Sequence, residues 1–158
     1  MLIAVVSDTH RMQTYIKKVK EMIKEADILI HLGDNVDDAE EISSSFKGEV
    51  CIVRGNCDFS VKYPKENILR VEDKTIFITH GHCYNVKSSL TNIFYKGKEA
   101  MADIVLFGHT HAGIVLEEEG IILMNPGSVS LPRNGRRTIG FIEVEKGKEA
   151  NVYLKEIK

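Results

Sequence analysis

Short apolar runs, each ending abruptly in a polar block, constrain this chain more than any other feature of its sequence. Leu2 to Val6 is a continuous, partly β-branched run of the kind required by a strand buried on both faces of a parallel sheet, and Asp8 falls at its C-terminal end. From Met12 to Glu25 the apolar residues Ile16, Val19 and Ile23 recur at intervals of three and four, so an amphipathic helix is expected to cover that sheet. The alternation then repeats: Ile28 to Leu32 reads as a second strand, Val36 to Phe46 as a poorer helix and Val50 to Val53 as a third strand. The first third of the chain is therefore read as a βαβαβ unit of an α/β protein.

Parallel winding stops after that unit. Ile68 to Val71 and Thr75 to Thr79 flank the turn-like Glu72-Asp73-Lys74 and predict an antiparallel hairpin. A helix is expected from about Val86 to Met101, then a strand from Ile104 to Phe107, whose lead-in Ala102-Asp103-Ile104 matches the Ala26-Asp27-Ile28 before the second strand. Ile114 to Glu118, Ile121 to Met124, Thr138 to Glu145 and Asn151 to Ile157 are strand-like, separated by Glu-Glu-Gly and Lys-Gly-Lys turns. They are expected to build a second, more antiparallel sheet. At 158 residues folding buries roughly 70% of the unfolded surface, so one domain over residues 1–158 is expected.

Composition narrows the function classes. A net charge of -2 provides no global attraction to nucleic acid or an anionic membrane, and no nucleic-acid patch stands out. No apolar run reaches the length of a membrane span, and Leu2 to Val6 lacks the flanks of a signal peptide, so a cytoplasmic protein is expected. Cys51, Cys57 and Cys83 are odd in number and lack CxxC spacing, which argues against a disulfide framework or a thiolate zinc site. Oligomeric state is not legible, and a homo-oligomer stays open.

The polar blocks carry the chemistry. Five of the six histidines fall in three clusters, Asp8-Thr9-His10, His80-Gly81-His82 and Gly108-His109-Thr110-His111, each just after an expected strand. Gly33-Asp34 and Gly55-Asn56-Cys57-Asp58 follow the second and third strands in the same way. Ligands of open α/β sheets bind outside the carboxyl ends of strands, so the five loops are expected on one rim. Imidazole and carboxylate suit manganese, nickel, iron or zinc better than a calcium cage. Seven candidate ligands, Asp8, His10, Asp34, Asn56, His80, His109 and His111, exceed the needs of one ion and match two divalent ions sharing a carboxylate, for which Asp34 is the candidate. Phosphoester hydrolysis is the natural use of such a pair.

With its DxH, GD, GN, HGH and GHTH blocks in this order, the sequence resembles the calcineurin-like metallophosphoesterases from Leu2 to about Arg133. The short chain and Asn125-Pro126-Gly127-Ser128 look like the small phosphodiesterase branch related to the retromer scaffold subunit. The resemblance implies a four-layer αββα sandwich of two mixed β-sheets flanked by helices. It implies that Asp8, His10 and His111 hold one metal and Asn56, His80 and His109 the other, bridged by Asp34. Two departures from the larger phosphatases stand out. Cys57 replaces the His general acid, and Asn35-Val36-Asp37-Asp38 lacks the Arg that clamps phosphate, which disfavours phosphoprotein phosphatase activity.

Plainer readings stand beside these. Asp8 alone would serve as a helix cap, and Gly33-Asp34 alone is common in α/β loops; the joint pattern decides for a site. His31 reads as a satisfied core histidine or a support behind the ligands, rather than a metal ligand. His82 either contacts the substrate phosphate or orients His80, and Asp58 supports Asn56 or water. Cys57 is a passive rim residue or an aid to the leaving group, Asn125 to Ser128 a β-turn or a closure of the metal rim, and Arg133, Arg136 and Arg137 solvated surface or contacts to an anion. The expected activity is hydrolysis of a small phosphodiester by a hydroxide activated between two metals, manganese or nickel first, with Asp8, Asp34, Asn56 and His80 carrying catalysis and Asn56 and His82 meeting substrate. Two divalent cations, two carboxylates and one hydroxide leave about one positive charge, which suits a singly charged diester. A phosphomonoesterase and a protein-interaction scaffold of the same fold are the alternatives.

Overall fold

The computed structural model describes residues 1–158 and resolves the apolar runs into two mixed sheets of five strands each. In the first, β1 (Leu2–Val6), β2 (Ile28–His31) and β3 (Glu49–Ile52) run parallel and alternate with α1 (Gln13–Met22) and α2 (Val36–Ser43). Next to β1 lie β9 (Thr138–Glu143) and then β10 (Asn151–Glu156), in antiparallel pairing, for the order β10-β9-β1-β2-β3. The second sheet is β4 (Glu66–Val71), β5 (Lys74–Thr79), β6 (Ile104–Leu106), β7 (Ile114–Glu118) and β8 (Ile121–Asn125), ordered β4-β5-β6-β8-β7. Its outer pairs are antiparallel, while β5, β6 and β8 are parallel.

Two expectations are corrected. Of the four C-terminal runs only β7 and β8 join the second sheet. β9 returns to the first because it is apolar on both faces: Ile139 and Phe141 pack with the residues under α1, and Ile142 faces the other sheet. A place beside β1 buries both faces. The helix expected from Val86 begins only at Thr91 (α3, Thr91–Glu99). His82–Tyr84 form a short 3-10 turn instead, entered through Gly81 at φ 104° and left through Asn85 at φ 54°, and these left-handed residues interrupt helical winding.

Side-chain alternation sorts the strands into layers. Ile3, Val5, Ile28 and Ile30 of the first sheet meet Ile76, Ile78, Ile104 and Leu106 of the second in the central core. Ala4, Val6 and Leu29 face α1 through Ile16 and Val19, and Phe77 and Val105 face α3 through Ile93. Helices thus cover both outer faces of the sheet pair. Each buried Ile or Leu contributes about 1.5–3 kcal/mol, so the stack holds the strand ends in register. The matching Ala-Asp-Ile segments occupy equivalent places: Asp27 accepts from Leu2 N–H, and Asp103 from Thr75 N–H, both at 2.7 Å. Each aspartate ties the start of its strand to the neighbouring one.

Candidate metal centre

The loops after β1, β2, β3, β5 and β6 meet where the two sheets adjoin. Asp8 N–H donates to Gly33 O (3.1 Å), Gly108 N–H to His80 O (2.9 Å) and His109 N–H to Asp8 Oδ2 (3.2 Å), so loops of both sheets are stitched together. Side chains form two clusters there: Asp8, His10, Asp34 and His111 offer atoms within 4.8 Å of one another, and so do Asp34, His80 and His109. Asp34 belongs to both. Six of the seven candidates read from the sequence lie in these two clusters.

The orientation of the imidazoles tests whether a cation fits. His80 Nδ1 donates to Leu32 O (2.7 Å) and His111 Nδ1 to Leu131 O (2.9 Å), and a carbonyl can only accept. In each neutral ring the Nε2 lone pair is thus left facing a carboxylate, His80 towards Asp34 Oδ2 at 3.5 Å and His111 towards Asp8 Oδ1 at 3.1 Å. His10 Nε2 lies 3.3 Å from His111 Nε2. Asp8 Oδ1 and His80 Nε2 are buried and make no hydrogen bond of acceptable geometry, despite the short Asp8–His111 distance. One proton can relieve one facing pair. A divalent cation can satisfy three or four converging lone pairs at once, so the donor set fits metal.

Charges respond to this crowding. Burial raises the Asp8 carboxyl, but His111, His80 and Ser7 outweigh it and hold the group below its usual range. Asp34 behaves likewise: burial opposes, while His80 and then Cys57 hold it far below that range. Burial pulls His80 down, but Asp34 and Asp8 outweigh it and hold the ring above its usual range, and His111 is raised chiefly by the adjacent Asp8 carboxylate against burial. His109 is lowered to about 4, first by burial and then by the charge of His80.

Backbone strain concentrates at the same residues. Ten non-glycine residues have positive φ, and five of them are Asp8, His10, Asp34, His109 and His111. Each such residue costs about 1–2 kcal/mol, and the surroundings must hold it in place. Ser7 Oγ donates to Asp8 Oδ2 (2.6 Å), and Ser128 and Ser130 Oγ both donate to Asp8 O (2.8 and 3.1 Å). Asn125 Nδ2 donates to Gly108 O (2.8 Å) and Thr110 Oγ1 (2.9 Å), so Asn125 to Ser128 closes the rim by bracing its loops. Two glycines allow the close approach: a Cβ at Gly55 would collide with Asp34 Oδ1, and one at Gly108 with Ser7 Oγ.

The remaining candidates fall into distinct places. Asn56 is exposed on the loop that closes over Asp34, its amide donating to Cys57 Sγ at 3.6 Å. Its neighbour Cys57 donates its N–H to Asp34 Oδ1 (3.0 Å), and desolvation with the field of Asp34 pushes the thiol up to about 11. His82 is half-exposed beside the second cluster, its ring centroid 5.4 Å from that of His80 and 6.1 Å from that of His109. His31 is fully buried and satisfied by Gly33 N–H at 3.1 Å and Thr9 Oγ1 at 3.4 Å, a core histidine as expected. Asp58 was expected to support Asn56 or water; instead its carboxylate accepts from the N–H groups of Asp34, Val36 and Gly55 at 2.8–2.9 Å. The arginine cluster divides. Arg137 stacks on Tyr15 (4.4 Å), whereas Arg133 N–H donates to His111 O (2.9 Å) beside the centre. Ser128 lies in the block read from the sequence as a closure of the rim, whereas Ser130, 122 residues from Asp8, carried no signal of its bracing role.

Strand ends that carry two imidazole–carboxylate clusters joined by one carboxylate fit a divalent-metal hydrolase, and the family match makes that class a metal-dependent phosphoesterase. The calcineurin-like phosphoesterase superfamily model matches residues 1–147, and the chain belongs to that family. A probable metallophosphoesterase of Bacillus subtilis, YsnB, is 32% identical over 142 residues, covering 89% of this chain and 82% of its own. A phosphodiesterase of Methanocaldococcus jannaschii is 27% identical over 174 residues, covering 98% and 99%. In fold, Vps29 of Entamoeba histolytica, solved with zinc, aligns over 100% of both chains with a TM-score of 0.80 at 16% identity. No helix is long and apolar enough to cross a membrane.

Proposed function

We propose that this chain is a phosphodiesterase in which Asp8, His10, Asp34 and His111 hold one divalent cation and Asp34, Asn56, His80 and His109 a second, manganese or nickel first, iron or zinc next. The observation that carries this reading is the Asp34 carboxylate shared by both clusters. Bound metals supply Lewis acidity and a water acidified towards neutral pKa. The protein's part is orientation. Leu32 O and Leu131 O fix the tautomers of His80 and His111, so both present Nε2 lone pairs inwards. Ser7 steers Asp8, and the backbone of Cys57 steers Asp34. Asn56 and half-exposed His82 are the groups on the solvent side that a phosphate oxygen meets first. Cys57 stays protonated in the neutral range, and its place where the larger phosphatases carry a histidine leaves that loop without an imidazole.

The test is metal titration with hydrolysis of bis(p-nitrophenyl) phosphate. Two manganese ions per chain are expected, falling to one or none in Asp34→Asn. Asp8→Ala, Asn56→Ala and His80→Ala are each expected to lower turnover at least about a hundredfold with circular dichroism unchanged. Full diesterase activity with one ion per chain would sink the paired arrangement, and a metal-loaded but inert protein would favour a scaffold role, for which the fold shared with Vps29 leaves room.

A further inference from the structure

Four basic residues lie on three loops at the centre: Arg54 and Lys65 on the one after β3, Lys87 on the one after β5 and Arg133 on the one after β8. Arg54 immediately precedes Gly55-Asn56, and its N–H donates to Pro64 O (2.9 Å), which brings Lys65 alongside. Lys65 O in turn accepts from Thr79 Oγ1 (3.3 Å), one residue before His80. Lys87 follows Val86, which packs on Gly81 between His80 and His82. Arg133 is tied to His111 by its backbone. Nine ion pairs in the chain use lysine or arginine, and none uses any of these four.

An isolated phosphodiester carries one negative charge, and the centre proposed above already meets it. Four unpaired cations on a chain of net charge -2 exceed that need. We infer that this rim binds the phosphates flanking the scissile one, so that the substrate is a short chain of linked phosphodiesters rather than a single small diester. The inference rests on the phosphodiesterase reading. Phe59, 97% exposed, lies on the loop where Arg54 reaches Ser60 O (3.4 Å), and an uncovered aromatic beside an arginine is a stacking platform for a base. The chemistry shared by an oligonucleotide and a base-free phosphodiester chain is the repeated phosphate, and the test separates the two.

Fluorescence anisotropy of fluorescein-labelled pentathymidylate on the manganese-loaded protein reads binding whether or not turnover occurs. The pentamer is expected to bind at least about tenfold tighter than the labelled dinucleotide. Combined Lys65→Gln, Lys87→Gln and Arg133→Gln should weaken the pentamer about tenfold and flatten the slope of log affinity against log salt by roughly 2. Lys17→Gln, Lys24→Gln and Lys146→Gln remove the same charge from exposed positions elsewhere and should cost less than about twofold. An abasic pentamer that binds as well as pentathymidylate assigns the rim to the phosphate chain alone; weaker binding adds base stacking on Phe59. Equal affinity for dimer and pentamer, or equal losses in the two triple variants, overturns the inference. Length-dependent binding without aryl diester hydrolysis would sink the catalytic reading alone, and hydrolysis without length-dependent binding this one alone.

Discussion

At the scale of single residues, environment assigns different tasks to identical side chains. His31 and His80 both end or follow apolar strands, yet His31 has both ring nitrogens satisfied, by Gly33 and Thr9, whereas His80 Nε2 has no partner. Burial therefore lowers the His31 pKa to about 4, outweighing the nearby carboxylates. The unfolded chain binds a proton at about 6.5, so between about pH 6.5 and 4 the unfolded state holds more protons than the native one, and stability falls with acidification. Relative to His31→Gln, the wild type is expected to lose up to about 3 kcal/mol across that window. Urea unfolding of both proteins in chelating buffer checks this, because chelation removes the separate pH dependence of metal binding. Parallel pH profiles would show that His31 is not the group responsible. Sequence reading placed His31 in the core correctly because it stands one residue inside an apolar run.

Among the elements, the loop after β3 does more than present Asn56. Asp58 accepts the N–H groups of Asp34 and Gly55, and also that of Val36, the first residue of α2, whose N-terminal neighbour Asn35 makes no side-chain cap. One carboxylate thus caps a helix, favours its positive end and holds the Asp34 loop against the next strand end. Removing it leaves three partly buried donors unmatched. Asp58→Ala is expected to weaken manganese binding about 10–100-fold while the far-ultraviolet circular dichroism stays native, and calorimetric titration measures it. Unchanged affinity in the folded variant would confine Asp58 to the helix. Sequence spacing showed that Asp58 belongs to the site but misassigned its partner, because Asn56 is near in the chain and Asp34 only in space.

For the whole molecule, the centre is a joint between two sheets. Asp8, His10 and Asp34 stand at the ends of β1 and β2 in one sheet, and His80, His109 and His111 follow β5 and β6 in the other. A ligand that binds only the native joint stabilises both sheets, by about 2.7 kcal/mol at a hundredfold excess over its Kd. For a chain of this size that corresponds to roughly 5–10 °C in Tm, in one transition. Differential scanning calorimetry with and without manganese reads it, and two transitions or an unchanged Tm at saturation would separate the sheets energetically. Strand ends and the order of polar blocks were legible from the chain alone, since these depend on neighbours within a few residues. Only the tertiary structure decided that β9 and β10 pack in the sheet of β1, that Ser130 braces Asp8, that Arg137 lies on Tyr15, and that no ion pair engages Arg54, Lys65, Lys87 or Arg133. Those outcomes depend on which buried faces and which charges meet across 100 residues or more of chain, and local sequence carries no record of that.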